Sequence, residues 1–156
     1  MTLSLITGGA GFIGSNFIHY IIKHYPDYRI INFDALTYAG NLANLDSIKE
    51  SDKYRFIHTR IESTESLNIE LENETVDYII NFAAESHVDR SIISSHEFVM
   101  TNIVGGKLYF NPPVLNGSRK VCLYRLKSCD GGQGIAYQLI GRTIAVPAET
   151  KIYPII

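Results

Sequence analysis

The sequence predicts an α/β fold, in which helices cover a parallel sheet of strands. Two features of residues 1–110 indicate this class. Short apolar runs, typical of strands buried on both faces, alternate with segments whose apolar residues recur at helical spacing. A glycine-containing turn joins the first apolar run directly to the first helical segment, as in a doubly wound sheet.

Four apolar runs are predicted as strands, at residues 3–7, 29–33, 54–58 and 76–84. The first run ends in Gly8 and Gly9, which favour a turn, and the second ends at Asp34. A loop that contains glycine and asparagine follows Asp34 through to Asn44. Because helical segments separate the strands, parallel pairing with helical crossovers is the expected arrangement.

Three segments are predicted as helices. The first begins at Phe12, and its apolar face is expected to comprise Ile13, Phe17 and Ile21, with Ile18 and Ile22 beside them. It is expected to end near Tyr25, because the residue before Pro26 avoids helical backbone angles. Residues 65–72 predict a polar helix, and residues 94–110 carry another helical pattern.

The chain changes character near residue 110. Turn-forming residues at 111–113 and 116–118 precede one further predicted strand at residues 121–124, and the remainder is apolar without a clear period. We therefore expect a well-patterned part at residues 1–110 and a divergent tail at residues 111–156. A shift of reading frame near residues 104–107 is one hypothesis for the change, and the nucleotide sequence of the gene would test it.

Composition excludes several classes of protein. The net charge of -2 and the pI of about 6.2 offer no basic excess for nucleic acid. Cys122 and Cys129 lack metal-site spacing, so we expect reduced thiols and no metal. No apolar run approaches the roughly 18 residues of a membrane helix, and the chain opens on a strand pattern instead of a signal peptide. A cytoplasmic protein without a membrane partner is expected.

The loop from Gly8 to Gly14 carries the clearest functional signal. Gly8, Gly11 and Gly14 are spaced by three, after a strand and at the start of a helix. Gly8 permits the tight turn, Gly11 lets a pyrophosphate approach the backbone, and Gly14 allows close packing of helix on strand. The N–H groups at the helix N-terminus attract phosphate. The pattern predicts dinucleotide binding, although alone it would also fit a simple tight turn.

Asp34 strengthens this prediction. It ends the second predicted strand, 20 residues beyond Gly14, where a carboxylate can accept hydrogen bonds from the adenosine ribose hydroxyls. A carboxylate there repels a 2′-phosphate, so NAD is favoured over NADP. Taken alone, Asp34 would also fit a turn or helix cap. The two motifs together predict a Rossmann-like doubly wound sheet that holds NAD.

These motifs resemble those of a known family, the extended short-chain dehydrogenase/reductases. Residues 7–14, Thr-Gly-Gly-Ala-Gly-Phe-Ile-Gly, are similar to its opening. Residues 34–41, Asp-Ala-Leu-Thr-Tyr-Ala-Gly-Asn, and residues 81–91, Asn-Phe-Ala-Ala-Glu-Ser-His-Val-Asp-Arg-Ser, narrow the resemblance to the dTDP-glucose 4,6-dehydratases. The similarity extends to about residue 105. UDP-galactose epimerases share the two alanines but lack the Glu-Ser-His-Val-Asp-Arg run.

The resemblance implies a chemistry. In that family bound NAD takes a hydride from C4 of a nucleotide sugar. The ketone that results acidifies the C5–H bond, a Glu removes that proton, and an Asp helps to expel the C6 hydroxyl as water. The hydride then returns to C6. The resemblance therefore implies NAD as cofactor and a nucleotide sugar as substrate.

The resemblance also implies which residues bind. Those around the pyrophosphate are Gly8, Gly11, Phe12, Ile13 and Gly14, and those at the adenosine ribose are Asp34, Ala35, Leu36 and Thr37. The strand end under the nicotinamide half comprises Phe82, Ala83, Ala84, Glu85 and Ser86, and Ile61 and Thr101 are further cofactor contacts. Ser86 and His87 are implied on the substrate side.

The sequence departs from the family at Arg60. Members usually carry Gly-Asp-Ile after the third strand, and that Asp accepts from the adenine amino group. Here the residues are His58, Thr59, Arg60 and Ile61, and an arginine cannot accept a hydrogen bond. The alternative is that the Arg60 guanidinium stacks on the adenine ring.

A larger departure concerns catalysis. The family uses a Thr-Asp-Glu strand end and a Tyr-x-x-x-Lys pair, but none of the ten tyrosines precedes a lysine by four positions. Residues 125–130, Arg-Leu-Lys-Ser-Cys-Asp, replace the acidic run, and the family's C-terminal sugar-binding domain is not in this sequence. We assign no catalytic residue and expect the chain alone to be inactive.

Several alternatives stay open. The chain could be a non-catalytic NAD-binding module, or an epimerase-type enzyme completed by another chain. His87 and Arg90 could be local caps at a helix start. A hydrolase triad of Ser86, His87 and Asp89 is disfavoured, because these residues are nearly consecutive and no G-x-S-x-G turn exists. An incomplete parallel sheet exposes an edge, which favours a homodimer over a monomer.

Overall fold

A computed structural model describes residues 1–85 and 95–106, and the backbone of two short strands at residues 125–127 and 136–138. The elements are β1 (Thr2–Thr7), α1 (Phe12–His24), β2 (Tyr28–Asp34), a 3-10 helix (Leu42–Leu45), β3 (Tyr54–His58), α2 (Thr64–Leu71) and β4 (Tyr78–Asn81). They are followed by α3 (Ser95–Val99), a π-helix (Met100–Val104), β5 (Arg125–Lys127) and β6 (Ala136–Gln138).

The four central strands form a parallel sheet in the order β3-β2-β1-β4. The order reverses beside β1, because the chain moves outward through β2 and β3 and then crosses back to β4. Ligands of doubly wound sheets bind at such a reversal, beyond the carboxyl ends of the strands. The predicted fold class, a Rossmann-like parallel sheet, is confirmed.

Both faces of the sheet are covered, since alternate strand residues point to opposite sides. Leu3, Leu5 and Phe33 pack with Leu67 and Leu71 of α2 in one cluster. The second cluster lies on the other face: its members are Ile6, Ala10, Ile18, Ile30, Leu45, Tyr54 and Ile80. This two-sided burial explains why the strands appear in the sequence as continuous apolar runs.

Three details of the predicted elements need correction. Ile13 was expected on the packed face of α1 but is 43% exposed, whereas Gly14, Ser15 and Ile18 are buried. The reason is that α1 approaches the sheet closely at Gly14. The strand predicted at 76–84 spans only Tyr78–Asn81. The helix predicted at 94–110 is described from Ser95, begins as α3 and widens into the π-helix, and residues 94 and 107–110 lie outside the described part.

The loop between β2 and β3 contains the 3-10 helix, which the sequence did not predict. Asn41 begins it, and the side-chain oxygen of Asn41 accepts from the Ala43 amide at 3.0 Å. Leu45 then reaches the core. Beyond residue 106, the structure describes only β5 and β6, which pair antiparallel. The strand predicted at 121–124 lies outside the described residues.

Among the helices that the structure describes, none has the length and apolar character needed to span a membrane.

Buried Asn32 in the middle of β2 supports the loop after β1. Its Oδ1 accepts from the Gly9 amide at 3.1 Å, and its Nδ2 donates to the Tyr54 hydroxyl at 2.9 Å. The side chain is fully buried. Its removal would leave a buried donor at Gly9 and a buried hydroxyl at Tyr54 without these partners.

We therefore predict that Asn32→Leu, which keeps the branched shape at Cγ but removes both hydrogen-bonding atoms, lowers the free energy of unfolding by about 2 kcal/mol. Urea denaturation of the chain followed by circular dichroism measures it. The control is Asn73→Leu at an exposed position after α2, where a change within about 0.5 kcal/mol is expected. Equal losses in the two variants would contradict the prediction.

Candidate functional site

A cleft opens beyond the carboxyl ends of the four parallel strands. Of the residues that the sequence predicted at a cofactor site, it is lined by Gly8, Gly11, Asp34, Ala35, Thr37, Ile61, Phe82, Ala83, Ala84, Glu85 and Thr101. These residues come from five separate segments. The parallel sheet brings them together because its strands all end at the same edge.

Gly8 makes the tight turn after β1. Its φ is +70°, and a Cβ placed on it would lie 2.5 Å from the Ala83 backbone nitrogen. Both facts exclude a side chain, since L residues rarely adopt this conformation and the neighbour is backbone. The Gly8 amide donates to the Phe33 carbonyl at 2.8 Å, which extends the β1–β2 pairing into the loop.

Gly14 and Gly11 differ in the space around them. A Cβ on Gly14 would lie 2.4 Å from the Gly8 carbonyl oxygen, so this glycine permits close packing of α1 on the loop. A Cβ on Gly11 would lie 3.4 Å from the same oxygen, an ordinary contact distance. The fold therefore does not require glycine at position 11. A glycine there leaves the backbone accessible from the cleft.

The N-terminus of α1 follows Gly11 directly. The first amide to bond within the helix is that of Ser15, which donates to the Gly11 carbonyl at 3.0 Å, and no side chain caps the preceding turn. The amides of Phe12, Ile13 and Gly14 precede this bond, and such groups lack intrahelical acceptors. The first turn therefore presents N–H groups and the positive end of the helix dipole.

Asp34 is buried between the two loops. One carboxylate oxygen accepts from the Ala10 amide at 2.8 Å, and the other accepts from the Leu36 amide at 2.8 Å. Leu36 itself has a positive φ of 49°, which the bond to Asp34 helps to hold. Each carboxylate oxygen can accept a further hydrogen bond. Asp34 thus acts as a turn cap and still lines the cleft.

The glycine loop is also held from its other side. The Ala10 carbonyl accepts from the Asn41 amide at 3.0 Å and from Asn44 Nδ2 at 3.0 Å. Ala10 is therefore bonded at its amide and at its carbonyl by the segment that follows β2. These contacts keep the loop shape constant where a ligand would approach.

The far side of the cleft is formed by the helical segment at 95–106. The Asn102 side chain bonds both backbone groups of Glu85: Oδ1 accepts from its amide at 3.1 Å, and Nδ2 donates to its carbonyl at 2.9 Å. Gly105 packs on Ile61, because a Cβ there would lie 2.4 Å from Ile61 Cδ1. Thr101 is placed at the cleft by this packing.

Arg60 lies on the cleft wall between two carboxylates. Its Nη1 is 3.2 Å from a Glu62 oxygen and 3.1 Å from a Glu97 oxygen. The hydrogen bonds that Arg60 donates to Glu97 and then to Glu62 raise the pKa of Arg60, which keeps it charged. Glu97 belongs to α3, so this contact joins the loop after β3 to the helical segment across the cleft.

Some predicted residues lie apart from the cleft lining. Phe12, Ile13, Gly14 and Leu36 are next to it in the chain but do not line it. Ser86 and His87 lie outside the described residues. In the described part of the chain, no group of three His, Cys, Asp or Glu residues could hold a metal ion.

The sequence prediction also missed lining residues, namely Phe33, Ala39, Gly40, Thr59 and Glu62. Arg60, which was expected near the adenine ring, lines the cleft as well. Thr59 could have been found, because the residues after every parallel strand meet at one edge. Asn102 gave no such signal, since it lies 17 positions from Glu85 in the chain.

Comparison with known proteins agrees with this geometry. Residues 5–108 match the family model described as GDP-mannose 4,6 dehydratase. The chain belongs to this family. It is 50% identical over 101 residues to the dTDP-glucose 4,6-dehydratase of Salmonella typhimurium, a match that covers 65% of this chain and 28% of that relative. The resemblance to dTDP-glucose 4,6-dehydratases is thus confirmed for the N-terminal part.

Solved structures of family members have the same fold. The dTDP-glucose 4,6-dehydratase of Bacillus anthracis in complex with NAD superposes with a TM-score of 0.68 at 37% identity, over 86% of this chain and 41% of that one. The enzyme of Streptomyces venezuelae, also with NAD bound, gives 0.68 at 42% identity, over 77% of this chain and 38% of that one. The chain therefore spans less than half of these relatives.

We predict that Gly8→Ala destabilises the chain by about 2 kcal/mol or more, because the substitution combines a disfavoured positive φ with contact against the Ala83 backbone. Thermal and urea unfolding measure the effect. Gly106→Ala is the matched control, because no atom lies within 4 Å of its added Cβ. Unchanged stability of Gly8→Ala would show that the turn does not need glycine.

Proposed function

We propose that this chain is the NAD-binding part of a nucleotide-sugar 4,6-dehydratase. One observation carries the proposal: the glycine loop, Asp34 and the segment Phe82–Glu85 line one cleft at the carboxyl edge of the sheet. That combination supplies a phosphate site, a ribose site and a platform for the nicotinamide half. The NAD-bound relatives support it.

The proposed contacts follow the cleft from one end to the other. The pyrophosphate lies against Gly8 and Gly11 and receives hydrogen bonds from the first turn of α1, at Phe12, Ile13 and Gly14. The adenosine ribose hydroxyls donate to the remaining lone pairs of Asp34, next to Ala35, Leu36 and Thr37. Ile61 and Thr101 flank the adenosine end. Phe82 to Glu85, with Ser86 beyond them, contact the nicotinamide half.

The described lining of the cleft fits NAD without a cation at the glycine loop. Of the charged residues in this described lining, Asp34, Glu62 and Glu85 are acidic and Arg60 alone is basic. Backbone N–H groups and the helix dipole therefore provide the attraction for phosphate. When bound, NAD supplies hydride acceptance and return, and the protein supplies its position.

The activity of a complete protein is a second step of the proposal. The relatives are named for removing water from dTDP-glucose, and we propose the same substrate class, with Ser86 and His87 on the sugar side. The proposed unit comprises residues 1–110, and residues 111–156 form a divergent tail. The described sheet ends at β4, and a strand edge of this kind supports the proposed homodimer.

A non-catalytic NAD-binding module is the second candidate. It is favoured by a specific observation, because none of the ten tyrosines is followed four positions later by lysine. That pair provides the base for C4 oxidation in the family. Both candidates bind NAD, and they differ in whether chemistry follows.

We predict that Gly11→Ala folds normally but binds NAD at least about tenfold more weakly, because its methyl group has room in the protein and occupies the approach of the pyrophosphate. Isothermal titration calorimetry measures the Kd, and urea unfolding measures stability. Gly106→Ala serves again as control and should leave both unchanged. Wild-type affinity in a folded Gly11→Ala variant would contradict the proposed pyrophosphate position.

We also predict that the purified chain forms no detectable 4-keto sugar from dTDP-glucose, since it lacks the Tyr-x-x-x-Lys pair. Absorbance of the 4-keto product in alkali, with an intact family enzyme as positive control, is the measurement. NAD binding without product supports the module. Product formation would show that another residue of this chain performs the proton transfer.

A further inference from the structure

Arg60 is a basic residue in a cleft whose other described charged residues are acidic. In dinucleotide-binding proteins an arginine near the adenosine ribose accommodates the 2′-phosphate of NADP, whereas an acidic residue there selects NAD. This chain carries both residue types at the same cleft, because Asp34 and Arg60 both line it. The specificity between the two cofactors therefore depends on whether the guanidinium is available.

Arg60 is close enough to act at the ribose end. Asp34 is paired in register with His58, and the Thr59 amide donates to the Asp34 carbonyl at 3.2 Å. Arg60 is the next residue, and neighbouring strands lie only about 4.8 Å apart. An arginine side chain spans that distance, so its guanidinium can reach a group bound at Asp34.

Two protein carboxylates already pair with the guanidinium charge, both at one of its nitrogens. The same nitrogen, Nη1, is 3.2 Å from Glu62 and 3.1 Å from Glu97. Glu62 is only 13% exposed, whereas Arg60 and Glu97 are about half exposed, at 51% and 50%. Arg60, Glu62 and Glu97 together carry a net charge of -1. Asp34 adds a further negative charge to the same cleft.

We propose that Glu62 and Glu97 sequester Arg60 and thereby make this cleft reject a 2′-phosphate. Arg60 is a latent phosphate anchor, and its two carboxylate partners add to the specificity that Asp34 provides. This inference rests on the proposed binding of a nicotinamide dinucleotide. It concerns which of the two cofactors is excluded, and by which residues.

The test is a pair of titrations, with NAD and with NADP, on the wild-type chain and its variants, by calorimetry at low salt. The wild type should favour NAD. The double variant Glu62→Gln/Glu97→Gln should bind NADP at least about tenfold more tightly than the wild type does, because it frees the guanidinium for a charge-assisted contact. Its affinity for NAD should change by less than about threefold.

Three controls make the result specific. Adding Arg60→Gln to the double variant should remove the gain for NADP. Arg60→Gln alone should leave NADP binding within about twofold, because that charge is already cancelled. Glu50→Gln/Glu72→Gln changes the net charge equally at exposed positions away from the cleft, and it should change neither affinity. Thermal unfolding of each variant shows that it is folded.

The outcomes separate the two proposals. If the wild type binds neither dinucleotide, the proposed NAD function fails and this inference fails with it. If the wild type binds NAD and the double variant gains nothing for NADP, the NAD function stands and the inference is wrong. A tenfold loss of NADP binding in Arg60→Gln alone would also overturn it, since the guanidinium would then be free in the wild type.

Discussion

The hydrogen bond from the Ala10 amide to the buried Asp34 carboxylate holds the cleft together. It joins the loop after β1 to the end of β2, and a charge-assisted bond in a buried position is stronger than a neutral one. The Ala10 carbonyl is held by Asn41 and Asn44 at the same time. The direction of the first turn of α1 follows from this anchored loop, as does the access to Gly11.

Asp34 consequently has a structural role and a proposed ligand-binding role, and both use the same two oxygen atoms. Its oxygens accept hydrogen bonds from backbone amides within the protein, and the residue also lines the cleft. A single carboxylate can do both because it has about four acceptor positions. The loop and the proposed ribose site are thereby coupled, so a substitution at this position alters the architecture together with any ligand contact.

The charged residues in the described lining of the cleft are mostly acidic, although the proposed ligand is an anion. Neutral N–H groups at the glycine loop and the end of a helix dipole resolve this conflict, since they attract phosphate over a short distance. Acidic side chains elsewhere then discriminate by repulsion, which is a common source of specificity. The positive charge of Arg60 is likewise paired with carboxylates of the protein, those of Glu62 and Glu97.

The parallel α/β class, the positions of β1 to β3, the glycine turn and the family could all be predicted from the sequence, because apolar periodicity and glycine spacing are local patterns. The set of residues that line the cleft could be identified only in the folded chain. Arg60 meets Glu97 across 37 positions, and Asn102 meets Glu85 across 17. Ile13 has the helical period yet faces solvent, because close packing at Gly14 sets the rotation of α1. Contacts between distant segments leave no periodic signature in the chain, so only the folded arrangement reveals them.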